Sequence, residues 1–334
     1  MTGGTPRALY RDTQGAIRRD IPPEELPAIL ERAKAGDGWL WVDVDGKSES
    51  ECSILASVFQ FHPLAIEDAL HANSRGKVED YDGQYLLIVL RGVRLCVETE
   101  DDPYDTETIN ITLFVGRQYL VTVHDERALS VEEVAELARK NPELLSRGPA
   151  RVAHMIADHT VDAFFPILDS VDEFVDGLEE RVFARFDHAS LQEIFRVKRL
   201  VLSLRRYLAP QRDVFNTLSN RPTPLLPPEV QIYFRDVYDH VLRINDSLET
   251  YRDLLSGTLD AYLSQVSNQL GQVTKGLSVV ATLSLPFVVI SGMWGMNVAE
   301  IPLSHHPHGF ALLVALQLSI GVVLVAALRW RKVL

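Results

Sequence analysis

Two long uncharged segments near the C-terminus constrain this chain more than any other feature. Residues 276–296 and 309–328 are runs of 21 and 20 residues without a charged side chain. A helix needs about 20 apolar residues to cross the roughly 30 Å hydrocarbon core of a bilayer. Pro286 lies inside the first run, and membrane helices tolerate an internal proline. The sequence therefore predicts two transmembrane helices in a lipid bilayer.

The charges that flank these runs predict their orientation. Lys275 precedes the first run, and Arg329, Arg331 and Lys332 follow the second, whereas the segment between the runs has neither Lys nor Arg. Positive charge accumulates on the cytoplasmic side of membrane proteins. We therefore expect a multi-pass protein of the inner (plasma) membrane with cytoplasmic N- and C-termini and a short external loop.

Composition excludes several classes of function. The formal net charge of the 334 residues is −13, which argues against a nucleic-acid partner, since such proteins carry a basic face. The two cysteines, Cys52 and Cys96, form no C-x-x-C pair, so neither a structural zinc site nor a disulfide framework is indicated. No phosphate-binding glycine loop, H-E-x-x-H motif or nucleophile elbow occurs, so we expect no enzymatic activity.

The first 145 residues combine strand-like and helix-like patterns, which predicts an α+β domain with a mixed sheet and packed helices. Apolar β-rich runs predict strands at residues 39–44, 85–93, 106–115 and 118–123, and Gly116-Arg117 predicts a hairpin turn between the last two. Helical patterns occupy residues 23–34, 49–59, 63–71 and 130–140. Ser130 followed by Glu133 fits a capping box at the start of the last of these helices.

The middle of the chain is helical. A helical period runs from about residue 151 to 218, a proline-rich break follows at 221–228, and a second period continues from 229 into the first membrane run. A continuous helix over residues 229–297 would be roughly 100 Å long, which favours a bundle around an axis. The predicted division is a cytoplasmic α/β domain (1–145), a helical hairpin (146–226), a stalk helix (227–275), a first transmembrane helix (276–297), an external loop (298–308), a second transmembrane helix (309–328) and a basic tail (329–334).

One helix in this region carries an acidic stripe. Its members are Asp169, Asp172, Glu173, Asp176, Glu179 and Glu180. Such a stripe can attract metal ions, but a solvated helix face is the commoner reason for it.

Ser291-Gly-Met-Trp-Gly-Met-Asn297 ends the first run, and Tyr238-Asp-His240 and Asp260 lie in the stalk pattern. These motifs resemble those of the CorA-type magnesium channels. His62-Pro-Leu-Ala-Ile-Glu-Asp-Ala-Leu70 is similar to the family's N-terminal domain, and the stretch from Arg205 to Asp213 is similar to one shared with the ZntB zinc-transporting branch. The resemblance spans residue 38 to the C-terminus. It implies a funnel-shaped homopentamer in which the stalk and first span line the pore.

The resemblance places the pore mouth at Gly295, Met296 and Asn297. Mg²⁺ sheds its water reluctantly, so a ring of amide oxygens can hold the hydrated ion through its bound water and still release it. Gly295 permits close backbone approach at the mouth. Taken without the family pattern, Asn297 would more often be a helix-ending residue.

The resemblance also implies which residues line the pore. They are Gly292, Val288, Leu285, Leu277 and Thr274. Val288 departs from the family, which often has threonine there, so a polar ring in mid-pore is in doubt. Leu285 and Leu277 would form hydrophobic constrictions that gate by dewetting, unless they simply pack against lipid or a neighbouring helix.

For regulation, Asp260, Asp68 and the neighbouring Glu67 match the family's metal site between subunits. Opposed carboxylates repel each other, and Mg²⁺ between them would favour a closed state. Loss of internal Mg²⁺ would then release that state. Surface exposure alone also explains most aspartates.

The external loop carries Glu300 and three histidines, His305, His306 and His308, and Leu303 replaces the acidic residue usual in the family. Glu300 would supply the negative charge outside. Imidazoles prefer Zn²⁺, Ni²⁺ or Co²⁺ to Mg²⁺, so the histidines form either a transient metal site or a polar turn at the membrane surface.

These observations predict a divalent cation channel that imports Mg²⁺ and also passes Co²⁺ or Ni²⁺. A ZntB-like Zn²⁺ transporter is the main alternative, because of the outer histidines and the stretch from Arg205 to Asp213. A membrane-anchored sensor or enzyme is the remote one.

Overall fold

The computed structural model describes residues 7–71, 75–95, 106–125, 127–184, 188–296, 303 and 306–331. The chain divides into two compact units, Met1–Thr258 and Leu259–Leu334. The first contains a sheet with helices on both faces, and the second contains two long apolar helical segments.

A mixed sheet organises the first unit. Its strands are β1 (Arg7–Arg11), β2 (Ile17–Arg19), β3 (Trp39–Asp45), β4 (Lys77–Tyr81), β5 (Tyr85–Leu95), β6 (Thr106–Gly116) and β7 (Tyr119–His124). Their order is β2-β1-β3-β7-β6-β5-β4, and of these neighbouring pairs β3 and β7 alone are parallel. The predicted α+β class with a mixed sheet is confirmed.

Nine helices accompany the strands in the part of the chain that the structure describes. They are α1 (Leu26–Lys34), α2 (Glu49–Ser57), α3 (Pro63–Leu70), α4 (Leu129–Lys140), α5 (Pro149–Asp162), α6 (Phe165–Ala184), α7 (His188–Asn220), α8 (Pro228–Trp294) and α9 (Gly309–Trp330). Short 3-10 helices at Pro23–Glu25 and Pro142–Arg147 precede α1 and α5.

The sheet separates two hydrophobic cores. Side chains alternate across a strand, and β3 accordingly sends Trp39 and Trp41 into one core and Leu40 and Val42 into the other. Helices α1 to α3 contribute to the second core, while α4, α5, α6, α7 and the start of α8 form the first. Burial on both faces explains why β3 is almost entirely apolar.

Two local predictions met different outcomes. The hairpin is confirmed, because β6 and β7 pair antiparallel across a turn that begins after Gly116. The capping box is wrong, because α4 begins one residue earlier with Ala128 as its N-cap. Ser130 instead lies buried inside the helix, and its Oγ accepts a hydrogen bond of 2.9 Å from the hydroxyl of Thr160 on α5.

Helix α8 spans the boundary between the two units as one continuous element of 67 residues. The predicted break before it is confirmed, since α7 ends at Asn220 and α8 begins at Pro228. In the first unit, apolar side chains spaced by three and four residues bury one stripe of α8, as a helix packed on a core requires. These side chains are Phe234, Val237, Val241, Ile244 and Leu248.

A buried histidine makes the stability of the first unit depend on pH. Burial, with a smaller effect of the nearby Arg151 charge, lowers the pKa of His154 from 6.5 to about 4. The ring packs edge-on against Phe234 at 5.2 Å, so little water can solvate its charged form. The unfolded chain binds this proton near pH 6.5 and the folded chain does not. The histidine therefore costs no stability above pH 6.5 and progressively more as the pH falls towards 4.

We expect the free energy of unfolding to fall by roughly 2 kcal/mol between pH 7 and pH 5 because of His154 alone. Other groups titrate in the same range, so the measurement is the difference between wild type and His154→Phe, which keeps an aromatic ring against Phe234. The fall in Tm between the two pH values should be several degrees smaller in the variant. Equal pH dependence in both proteins would contradict this role.

Candidate ion-conducting site

The membrane segment of α8 is apolar, and the structure leaves its side chains uncovered. Both α8 and α9 contain stretches long and apolar enough to cross a membrane, and none of the residues of those stretches is buried. Leu277, Leu285 and Val288 are 66%, 65% and 67% exposed. Apolar surface of this extent needs lipid or other protein chains to cover it.

The predicted pore-lining residues share one face of α8. At about 100° per residue, they fall within roughly 80° of the helix circumference. This stripe, called the pore stripe below, consists of Thr274, Leu277, Leu285, Val288 and Gly292, and all five are exposed.

Helix α9 packs against the opposite face. The partly covered residues in the membrane segment of α8 are centred about 180° from the pore stripe. They are Val279, Leu283, Pro286, Phe287, Ile290 and Trp294, and none of them belongs to the pore stripe. The pairing of the two helices therefore leaves the pore stripe free to face other copies of the chain or an aqueous path.

A polar contact fixes α9 against α8 close to the end of the span. The side-chain amide of Gln317 donates to the hydroxyl of Ser291 at 2.9 Å and, at 3.4 Å, to the backbone carbonyl of Phe287. One turn further along α9, Gly321 leaves room for the ring of Phe287, which would lie 3.0 Å from an added Cβ. Small residues and interhelical hydrogen bonds are the usual means of joining membrane helices.

We expect the Gln317–Ser291 hydrogen bond to contribute about 0.6–1.7 kcal/mol to the pairing of the spans. Gln317→Leu removes both hydrogen bonds and Ser291→Ala removes one, so thermal melts of the single and double variants in detergent form a double-mutant cycle. A coupling energy in that range supports the contact. Strictly additive effects of the two substitutions would show that it contributes nothing.

The helix tightens at the predicted mouth. The N–H of Gly295 donates to the carbonyl of Ser291 at 3.0 Å, and that of Met296 donates to Met293 at 3.4 Å, a shorter turn than the preceding α-helix. Gly295 and Met296 are both exposed. Asn297, Glu300 and His305 lie outside the described residues.

The described part of the predicted external loop includes Leu303, His306 and His308. Leu303 has φ 66°, in the left-handed region that a branched side chain disfavours. The rings of His306 and His308 are 6.0 Å apart, and Nδ1 of His306 accepts the backbone N–H of His308 at 3.2 Å. This bond places the proton of a neutral His306 on Nε2, so neither nitrogen offers a free lone pair to a metal in this arrangement.

The predicted regulatory residues lie in different units, Asp68 and Glu67 in the first and Asp260 in the second. Glu67 and Asp260 are exposed, whereas Asp68 is half-buried. Lys77 on β4 donates to the carboxylate of Asp68 at 2.5 Å and to Glu79 at 3.0 Å. Partial burial opposes the charge of Lys77, but the hydrogen bonds to Asp68 and Glu79 outweigh it and raise the pKa of the lysine. A cation that binds Oδ2 of Asp68 would therefore compete with the ammonium group of Lys77.

Sequence reasoning missed one acidic cluster. Asp158 and Asp162 on α5 and His240 on α8 place one ligand atom each within 4.8 Å of one another. His240 Nδ1 lies 3.1 Å from a carboxylate oxygen of Asp162, and burial, together with the neighbouring Asp162, raises the pKa of Asp158. Two carboxylates and an imidazole are a donor set that suits a divalent cation. The four-residue spacing of Asp158 and Asp162, which places both on one helix face, was the one sequence pattern that could have indicated this cluster.

The acidic stripe on α6 is a solvent-facing surface where its side chains are described. Asp169, Asp172, Glu173 and Asp176 are all exposed. The carboxylate of Asp172 accepts the hydroxyl of Tyr251 on α8 at 2.8 Å, so this member also joins α6 to α8.

Comparison with known proteins relates this architecture to a family. The family described as CorA-like Mg²⁺ transporter protein matches residues 36–332. The chain belongs to this family. The cobalt/magnesium transport protein CorA of Thermotoga maritima is 31% identical over 294 residues, which are 87% of this chain and 82% of the relative.

Solved structures of similar proteins have the same fold. The complete structure of the CorA magnesium transporter of Methanocaldococcus jannaschii superimposes with a TM-score of 0.81 at 22% identity and covers 98% of both chains. The full-length CmaX protein gives a TM-score of 0.79 at 21% identity and covers 99% of this chain and all of its own. These likenesses confirm the predicted order of mixed-sheet domain, long helix and two apolar C-terminal helices.

Membership in the CorA family settles the class of activity. The chain is a membrane protein that transports divalent metal ions, and it is not an enzyme, because the family consists of ion transporters. The apolar, uncovered segments of α8 and α9 are the part that lies in the membrane.

Proposed function

We propose that this protein is a channel that imports Mg²⁺ and also passes Co²⁺ and Ni²⁺. It lies in the plasma membrane as a homopentamer with both termini in the cytoplasm. The proposal rests on one observation above all, the exposed pore stripe of α8 opposite the face that binds α9. Five such faces around an axis enclose a path, whereas a pair of helices cannot.

The chemistry of the path suits a hydrated ion. Gly292, Val288 and Leu285 offer no charged group, so the stripe cannot strip the water from Mg²⁺ and does not trap the ion. At the mouth, the Asn297 amide oxygens accept hydrogen bonds from water bound to the ion, and backbone carbonyls freed near Gly295 add to them. The hydrated ion is thereby concentrated without being held.

For control of the channel, we propose that intracellular Mg²⁺ binds between subunits at Asp68 and Asp260, with Glu67 nearby. The ion offsets the repulsion of carboxylates and stabilises the closed state, so its loss opens the channel. The contact of Lys77 with Asp68 sets the concentration at which this happens, because the ammonium group competes with the metal.

We expect Lys77→Gln to lower the internal Mg²⁺ concentration that half-inhibits flux by about tenfold, since a competing cation is removed from Asp68. Lys34→Gln is the matched control, because Lys34 pairs with Glu31 on the exposed face of α1. The shift is measured as Mg²⁺ entry into proteoliposomes that have been preloaded with graded concentrations of Mg²⁺. An unchanged half-inhibiting concentration of Mg²⁺ would contradict the assignment of Asp68 to the regulatory site.

The alternative cargo is Zn²⁺, because of the outer histidines. The hydrogen bond from His308 to Nδ1 of His306 argues against a ready zinc site at that pair, since zinc requires a free lone pair on each imidazole. His305 and Glu300 belong to the same proposed outer region, where they attract cations to the mouth.

The deciding experiment is a competition assay in proteoliposomes. The purified chain is reconstituted around a Mg²⁺-sensitive dye, external Mg²⁺ is added, and Zn²⁺, Co²⁺ or Ni²⁺ is added as competitor. We expect saturable Mg²⁺ entry that Co²⁺ and Ni²⁺ reduce. The absence of Mg²⁺ entry, or Zn²⁺ entry that Mg²⁺ fails to reduce, would overturn the proposal in favour of a zinc transporter.

A further inference from the structure

An arginine-lined cavity of about 660 Å³ lies in the first unit, among residues that the transport proposal does not use. Arg75 precedes β4, Arg91 lies on β5, and Arg206, Tyr207 and Pro210 lie on α7. Its volume is that of a typical small-molecule site. No acidic side chain lines it among the residues that the structure describes.

The fold builds this cavity where a strand pair ends. Strand β4 starts at Lys77, which pairs with Val89 of β5. The backbone of Arg91, two residues further along β5, therefore has no β4 residue opposite it. The fully buried Gln211 of α7 replaces the missing strand. Its amide donates to the Arg91 carbonyl at 3.0 Å, and its carbonyl accepts the Arg91 N–H at 3.3 Å.

A close approach of the backbone completes the wall. A Cβ added to Gly76 would lie 3.2 Å from the Gln211 side chain, so glycine lets the segment before β4 pass close to α7. The proline ring of Pro210 removes one backbone N–H from α7, which leaves the carbonyl of Arg206 without its usual helical partner. The segment before β4, strand β5 and α7 thus converge on one pocket.

The charges in the pocket select an anion. Arg91 is 7% exposed and its guanidinium lies 5.4 Å from the centre of the Tyr207 ring, while Arg75 and Arg206 are exposed at the rim. The lining thus carries three guanidinium groups, although the chain as a whole is strongly acidic. Arginine is the side chain best suited to phosphate, which it binds through paired N–H groups.

We propose that this cavity binds an oligophosphate, either the phosphate chain of a nucleotide or an inorganic one. Several linked phosphates offer a separate contact to each of several arginines, whereas a single phosphate is too small to reach all of them. This site is a ligand-binding function additional to ion transport.

The test is calorimetric titration of the full-length protein in detergent, without divalent cations, using ATP, tripolyphosphate and adenosine as probes. We expect ATP and tripolyphosphate to bind and adenosine not to bind. Tighter binding of ATP than of tripolyphosphate identifies a nucleotide, and equal binding identifies the phosphate chain alone as the ligand.

The variants Arg75→Ala and Arg206→Ala should each weaken binding about tenfold or more, because each removes a charged contact. Both side chains are exposed, so the fold should survive, and thermal melting checks this. Arg212→Ala is the matched control, since Arg212 is exposed on α7 and does not line the cavity. Failure of both phosphate probes to bind, or equal binding by wild type and the Arg75→Ala/Arg206→Ala double variant, would overturn the proposal.

Discussion

Asn297→Ala should reduce Mg²⁺ entry into proteoliposomes by at least about tenfold, because every subunit of the proposed pentamer loses its outer hydrogen-bond acceptor. Each amide bond to ion-bound water contributes about 0.5–1.5 kcal/mol, so the loss of two or three simultaneous bonds is sufficient. Alanine cannot accept a hydrogen bond through its side chain. Without these acceptors, the water bound to the ion finds no stronger hydrogen bonds at the mouth than in bulk water.

Two controls separate this effect from misfolding. Asn220→Ala makes the same chemical change at the exposed end of α7, where Asn220 donates to its own helix, and should leave entry unchanged. Asn297→Gln retains an amide and should restore part of the flux. Unchanged Mg²⁺ entry and unchanged competition by Co²⁺ in Asn297→Ala would exclude the Asn297 ring as the capture site.

Leu285→Asn should make the channel leak, raising Mg²⁺ flux at high internal Mg²⁺ by about tenfold. An apolar ring excludes water from a narrow pore and so blocks ions without closing it sterically. Leu285 lies on the pore stripe, is 65% exposed within the chain and points away from α9. An amide at this level would hold water in the constriction, and the closed state would no longer be dry.

The matched control is Leu285→Met, which keeps an apolar side chain of similar volume and should close as tightly as wild type. Flux is measured with internal Mg²⁺ held high enough to inhibit the wild-type protein. Leakage in both variants would indicate a disturbed helix rather than lost hydrophobic gating. Tight closure in Leu285→Asn would move the constriction elsewhere, with Leu277 as the next residue to test.

The membrane part of the fold was predictable because it depends on a single physical dimension. Residues 276–296 and 309–328 match the thickness of a bilayer, and the structure has helices ending at Trp294 and Trp330 there. The continuity of α8 followed from the sustained helical period over residues 229–275 and from the absence of proline between Pro228 and Pro286. A long regular segment repeats its hydrophobic pattern over many turns, so the pattern is easy to recognise in the sequence.

The direction in which each span faces was not predictable from the residues alone. The membrane segment of α8 is apolar around most of its circumference, so no hydrophobic stripe distinguishes one side. Only the packing of α9, anchored by Gln317, separates the pairing face from the pore stripe. The family resemblance named the pore residues, and the structure adds that they share a face.

Sites built from residues far apart in the chain could not be predicted from the sequence either. Asp162 and His240 are 78 residues apart, and Arg91 and Gln211 are 120 apart. Neither spacing forms a local pattern. The capping-box prediction at Ser130 was wrong for a related reason. A cap motif competes with tertiary contacts, and here Ser130 contacts Thr160 on another helix instead of capping its own.

The opposed faces of α8 have a consequence for which substitutions the two paired spans tolerate. The residues that join the two spans, such as Phe287 and Ile290, are different residues from those of the pore stripe. A substitution on the pore stripe therefore leaves assembly of the hairpin intact. At Val288, which belongs to the pore stripe, we expect a change of side chain to alter the exposed face of α8 while the pairing of α8 with α9 stays as stable as before.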